Sequence, residues 1–217
     1  MSVCTPLCLW AQRLRARCEA WAVRQRRDDR AAQILEFAIA LPLLVLFVVG
    51  IFDFSSAFTL KQKLTNVARD AARAAAADPA TDLTGPLNPA TGPISVNDVY
   101  QIVDKYLIAN HLNDCGLPVT PTGPMGLTWT FTGSTGCPAG NLILTVNRGY
   151  HFPAANSGQP PTIDCVPQGG SQTAVISTCV SIQYPYQWRF GRIASLVGSS
   201  TSLPGQVSAV AVAMNEN

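Results

Sequence analysis

Between Ile34 and Phe52 the chain is apolar except for one carboxylate, Glu36, close to the start of the run. As a helix this run is about 28 Å long at about 1.5 Å per residue, close to the ~30 Å of a bilayer's hydrocarbon core. Continuing through Phe54, Ala57, Phe58 and Leu60 makes the length ample. An ionisable side chain at membrane depth costs roughly 2.5–3.5 kcal/mol on insertion scales. A plain anchor has no use for it, so Glu36 points to a span that must also recognise something.

The flanks orient the span. Seven arginines (Arg13, Arg15, Arg17, Arg24, Arg26, Arg27 and Arg30) stand against Glu19, Asp28 and Asp29 before the run. The positive-inside rule then places the N-terminus in the cytoplasm and the chain beyond about residue 60 outside. A secretory signal peptide is the competing reading, with Ser55-Ser56-Ala57 as a loose small-residue cleavage site. Within the leader, Trp10, Leu14, Cys18 and Trp21 recur at helical spacing. They describe either an amphipathic helix on an anionic leaflet or a basic leader that only sets orientation.

Cysteine placement agrees with this topology. Cys115, Cys137, Cys165 and Cys179 form an even set on the outer side, where disulfides persist. Four cysteines allow three pairings. Cys115–Cys137 and Cys165–Cys179 close the shortest loops and are the expected bridges. Cys4, Cys8 and Cys18 fall on the cytoplasmic side, as free thiols.

The expected fold is α+β. Pro42 sits inside the apolar helix, where it removes one backbone hydrogen bond, a loss membrane helices tolerate. From Phe58 to Ala77 the chain lacks Gly and Pro and is rich in alanine. Leu60, Leu64, Val67, Ala71 and Ala74 form a stripe along it. One long helix therefore continues to Asp78-Pro79. A Pro- and Gly-rich loop follows over residues 78–94. Ser95 and Asp98 resemble a capping box that opens a short second helix, carried by Val99, Ile102, Val103, Tyr106 and Leu107 to about His111. Strand signals come next: Leu127–Phe131, then Leu142, Leu144 and Val146, then Ile176, Thr178, Val180, Ile182 and Tyr184, then Val207–Met214. A small antiparallel sheet packed on the outer half of the long helix buries both apolar stripes.

The chain displays no catalytic pattern. It has two histidines, His111 and His151, and neither a His-Glu-x-x-His nor a Gly-x-Ser-x-Gly motif. His151, between Tyr150 and Phe152, reads as a surface or packing residue. The cysteine spacings are not those of zinc or redox motifs. These features argue against an enzyme and against a metal or other cofactor. The outer part has no basic cluster, which argues against nucleic-acid binding. The aromatic group from Tyr184 to Phe190 is either a binding patch or the turn and core between strands.

Ala31-Ala32-Gln33-Ile34-Leu35-Glu36-Phe37, the apolar run with Pro42, then Asp53-Phe54-Ser55-Ser56-Ala57-Phe58 and Leu64-Thr65-Asn66-Val67-Ala68-Arg69-Asp70-Ala71-Ala72-Arg73 together resemble the TadE-like pseudopilins of the bacterial tight-adherence (Flp) pilus system. The resemblance spans roughly residues 30–77. It implies a precursor cut on the cytoplasmic side by an aspartic prepilin peptidase, between Ala31 and Ala32, so that Glu36 becomes the fifth residue. The family prefers Gly before the cut, where this chain has Ala31. The three parts would then be a leader (1–31), a transmembrane and extended helix (32–77) and an extracytoplasmic, disulfide-tied domain (78–217).

The resemblance also implies partners: other pilins and pseudopilins, and an inner-membrane assembly platform. After cleavage the new amine of Ala32 is a cation at the helix start, and Glu36 of a neighbouring subunit is its natural counter-ion. Desolvation offsets most of the attraction in such a pair, so it sets register more than it stabilises. Glu36, Phe37 and Pro42 are the expected assembly positions. Asp53, near the outer interface, is expected in water or paired with Lys61 or Lys63. The functional expectation is a minor, non-enzymatic pseudopilin of the bacterial inner membrane that primes or adapts pilus assembly, its outer domain periplasmic or on the pilus. The alternative is an uncleaved, membrane-anchored periplasmic binding module.

Overall fold

The computed structural model describes residues 6–84, 91–137, 140–152, 163–165, 175–189 and 204–216, with side chains from residue 31 onward except 152 and 175. The leader thiols Cys4, Cys8 and Cys18, the Trp10–Trp21 face and Phe190 therefore lie outside the described side chains. The chain divides into two compact units, Met1–Ile51 and Phe52–Asn217. Helix α1, Pro6–Ala77, contributes to both and continues through Pro42.

In the first unit the described side chains are those from Ala31 onward, most of them in the apolar run. Ile34, Leu35, Phe37, Ile39, Leu43, Leu44 and Phe47 are all exposed. From Ala31 to Ala77 the helix is long and apolar enough to cross a membrane. Contiguous apolar surface on this scale marks a lipid or protein contact.

The second unit is an α+β domain. Its sheet contains β1 (Thr122–Met125), β2 (Thr128–Gly133), β3 (Leu142–Phe152), β4 (Val175–Pro185) and β5 (Gln206–Met214). They lie in sequence order and every neighbouring pair is antiparallel. Helix α2, Ile94–Ala109, completes it. The alanine-rich end of α1 enters the core through Leu60, Leu64, Val67, Ala68, Ala71, Ala72 and Ala75. Leu142, Leu144 and Val146 of β3 and Val180, Ile182 and Tyr184 of β4 meet this core, as period-2 alternation requires. Ile176, expected on the same face, is exposed near the start of β4.

The opposite face of β4 is also covered. Cys179, Tyr150 and Cys165 form a small second core, with Val210 and Val212 against it. The Cys165–Cys179 disulfide holds the 163–165 segment there, and Asn147 Nδ2 donates to the Cys165 carbonyl at 3.0 Å. The Cys115–Cys137 bridge ties the segment after α2 to the end of the β2 hairpin arm. Gly133 sits under that segment: a Cβ there would lie 2.8 Å from the Cys115 carbonyl oxygen.

Two local expectations need correction. The second helix begins at Ile94, with Pro93 at its N-cap and no side-chain cap. Ser95 thus falls inside the first turn, fully buried, and its hydroxyl has no hydrogen-bond partner among the described residues. Asp82 takes over the role, its Oδ2 accepting from the Ser95 N–H at 2.9 Å, so a carboxylate from an earlier turn meets the positive end of the helix dipole. The second is β1, where the sequence offers no strand signal. Its four residues are all exposed and include Gly123 and Pro124, so no burial pattern announces it.

Candidate functional site: the apolar helix, its outer rim and its C-terminal lock

The expected processing and assembly residues all lie on α1. Ala31 and Ala32 are helical and exposed. Glu36 and Phe37 are exposed within one turn of them, and Pro42 follows in continuous helix. Helical geometry therefore brings the expected cleavage position, the acid and the aromatic side chain to one end of the apolar segment. Cys115, Cys137, Cys165 and Cys179 lie far along the chain from it and are bridged as Cys115–Cys137 and Cys165–Cys179.

Just beyond the apolar run, α1 acquires a polar contact. Asp53 is 4% exposed, and the Tyr186 hydroxyl lies 3.1 Å from its Oδ1 and 3.0 Å from its carbonyl oxygen. The expectation of a solvated Asp53, or one paired with Lys61 or Lys63, is overturned. Lys61 instead donates to the Ser208 carbonyl at the start of β5. Burial, followed by the hydrogen bond to Asp53, pushes the Tyr186 phenol above its ordinary value.

Tyr186 and Trp188 follow the end of β4. Their rings meet edge to face at 4.9 Å, and Trp188 lies 5.3 Å from Phe54 on α1. The Trp188 Nε1–H donates to the Pro204 carbonyl at 2.6 Å. Tyr184, from the same aromatic group, is a core residue whose hydroxyl donates to the Asn113 carbonyl at 3.0 Å. The group therefore splits: Tyr184 is core, and Tyr186 and Trp188 form a rim against the helix.

The far end of α1 carries a feature that sequence reading missed. Arg148 of β3 is 1% exposed. Its guanidinium donates to the Ala75 carbonyl, to Thr178 Oγ1 at 2.8 Å and to the Asp78 carbonyl at 2.9 Å. The last turn of α1 contains no basic residue, so Arg148 supplies the cation that a helix C-terminus favours and the donors its orphan carbonyls need. Burial lowers its pKa, opposed by the Asp82 and Asp78 charges.

A β-bulge accompanies this placement. Asn147 pairs with Cys179 and Tyr150 with Ser177, leaving one extra residue on β3. The bulge keeps Arg148 toward the helix end while Tyr150 turns to the second core, a typical re-aiming role. A Cβ at Gly149 would come 2.6 Å from Leu127 Cδ1 and 3.2 Å from its Cβ, so a larger residue there would push the exposed Leu127 side chain aside. The available signal was a lone arginine in a strand that holds no acid, which demands a partner when buried.

Among the described residues no group of His, Cys, Asp or Glu is arranged to hold a metal ion. A groove of about 400 Å³ is lined, among the described residues, by Ile163, Gln183, Pro204, Gly205, Gln206 and Ser208, none of them an acid, base or thiol.

The apolar helix with its N-terminal acid and the alanine-rich extension that enters the core fall in one stretch, and residues 31–73 match the family model described as TadE-like protein. This segment is TadE-like. The match begins at Ala31, the residue before the expected cleavage point, and ends within the core-forming part of α1. It therefore covers both the exposed apolar part of α1 and most of its buried extension. No curated protein and no solved structure matches the chain.

Proposed function

We propose that this chain is a minor, non-enzymatic pseudopilin that acts in assembly or priming of a tight-adherence pilus. The observation that carries the reading is the coincidence of the TadE-like match with an exposed apolar helix bearing Glu36 near its start. The helix lies in the inner membrane with its arginine-rich end in the cytoplasm, and the disulfide-tied domain is in the periplasm. A prepilin peptidase removes residues 1–31. The released Ala32 amine and Glu36 of an adjacent pilin then set the stagger between helices, while the outer domain contacts the assembly platform.

Two measurements test this. Intact mass of the protein recovered from its host membranes should correspond to a chain starting at Ala32. Substitution of Glu36 by Leu should abolish co-purification of partner pilins and reduce piliation while leaving membrane insertion intact. Unchanged piliation and pull-down in Glu36→Leu would overturn the assembly role. The presence of Ala31 where the family prefers Gly favours a second reading, an uncleaved membrane-anchored periplasmic binding module. A mass corresponding to a chain starting at Met1 selects it.

A further inference from the structure

The outer unit carries a feature that assembly through the apolar helix does not use. The apolar run ends at Phe52. Phe54 and Phe58 follow four residues apart on one face of α1, and they are 56% and 64% exposed. Tyr186 and Trp188 reach the same level from the end of β4, with Trp188 against Phe54 and Tyr186. We propose that Phe54, Phe58, Tyr186 and Trp188 form a lipid-headgroup contact that seats the folded domain on the membrane α1 enters. The proposal rests on the reading that α1 spans a bilayer.

Three observations favour lipid as the occupant. The first is position: Phe52 to Phe58 rises about 9 Å along a helix, close to the ~5–8 Å of polar layer on one side of a bilayer. Tyr and Trp concentrate at that depth because their rings are apolar and their tips polar. The second is hydrogen bonding. The Trp188 N–H and the Tyr186 O–H already have protein acceptors, so entering the interface strips neither of a partner. The third is charge. Asp53, the acid at this level, is covered from solvent, whereas Arg189 is exposed and its guanidinium suits lipid phosphates.

The test uses the full chain with Trp10→Phe and Trp21→Phe, which leaves Trp129, buried in β2, and Trp188. It is reconstituted into phosphatidylcholine–phosphatidylglycerol vesicles whose acyl chains are brominated either near the headgroup or near the methyl end. The same chain with Trp188→Phe, and separately Trp188→Tyr, provides the Trp129 background. Lipid brominated near the headgroup should remove most of the Trp188 emission, and lipid brominated deep should remove little. Flotation and carbonate extraction are run on the same samples. A protein that fails to float overturns the membrane reading and this proposal with it. A protein that floats while both lipids leave Trp188 emission unchanged overturns this proposal alone. Iodide quenching then shows whether water or a second copy of the chain covers the rim.

Discussion

The Arg148 guanidinium donates to the Asp78 carbonyl at 2.9 Å, across 70 residues of sequence. With its bonds to the Ala75 carbonyl and Thr178 it locks the end of α1 to the middle of the sheet. The chain's last residues join in: the Glu216 N–H donates to the Ala76 carbonyl at 3.4 Å, and Asn215 Oδ1 accepts from Thr178 Oγ1 at 2.7 Å. Replacing Arg148 by Met leaves the buried Ala75 carbonyl and the half-buried Asp78 carbonyl without these donors. The expected loss is about 2–4 kcal/mol, read from urea unfolding of the full chain in detergent by Trp129 fluorescence. Arg148→Lys should recover only part of it, because an ammonium lacks the planar fork. A Met variant as stable as the parent would sink the lock.

Asp53 and Tyr186 fasten the other end of the buried helix half. Tyr186→Phe removes a hydrogen bond to an acid while keeping the ring, and should cost about 1–2 kcal/mol. Trp188 packs on the Tyr186 ring, so its near-ultraviolet dichroism should weaken in the same variant. Stability and dichroism both matching the parent would show that the contact contributes nothing.

Asp78 makes the helix end sensitive to pH. Burial, then the nearby Asp98 charge, raises its carboxyl above 3.8, with Arg148 opposing and Asp82 adding to the rise. Because the folded value lies above the unfolded one, the proton binds the folded state more tightly. The associated stabilisation is fully present below pH 3.8 and is lost as pH rises through the folded value. Melting temperature should therefore fall with rising pH across that window by more in the parent than in Asp78→Asn. Parallel curves for the two proteins would contradict the assignment.

The two bridges enclose sequence separations of 22 and 14 residues. Each should contribute about 2–4 kcal/mol. Paired substitution of Cys165 and Cys179 by Ser should lower stability by about that amount and also open the second core. Tyr150, whose phenol burial holds above its ordinary value, should then ionise at lower pH, as alkaline titration at the phenolate absorbance would register. Non-reducing peptide mapping checks the connectivity directly, and a Cys115–Cys165 peptide would refute it.

Much of the fold was legible because its signals are local. The apolar run, the alanine-rich stripe through Leu64 and Val67, and the alternation through Leu142–Val146 and Val180–Tyr184 each repeat within a few residues, so periodicity alone identifies helix and strand. The TadE-like segment was legible for the same reason, since its motif is contiguous. Where local chemistry misled, a competing contact won. Ser95 looked like a cap, but the helix starts one residue before it and Asp82 holds its N–H. Asp53 looked solvated beside two lysines, but a tyrosine 133 residues away covers it.

The sequence by itself thus determined most of the helix and strand segments, which stretch of α1 is apolar, and where the one acid of that stretch sits, because backbone periodicity and hydropathy act over a few turns. Only the tertiary structure decided that Arg148 closes α1, that Asp82 caps α2, and that Tyr186 and Trp188 meet the helix beside Phe54. These groups lie far apart in the chain, and each partner was chosen by desolvation: a buried charge or orphaned backbone group needs a partner, and the fold determines which one is in reach.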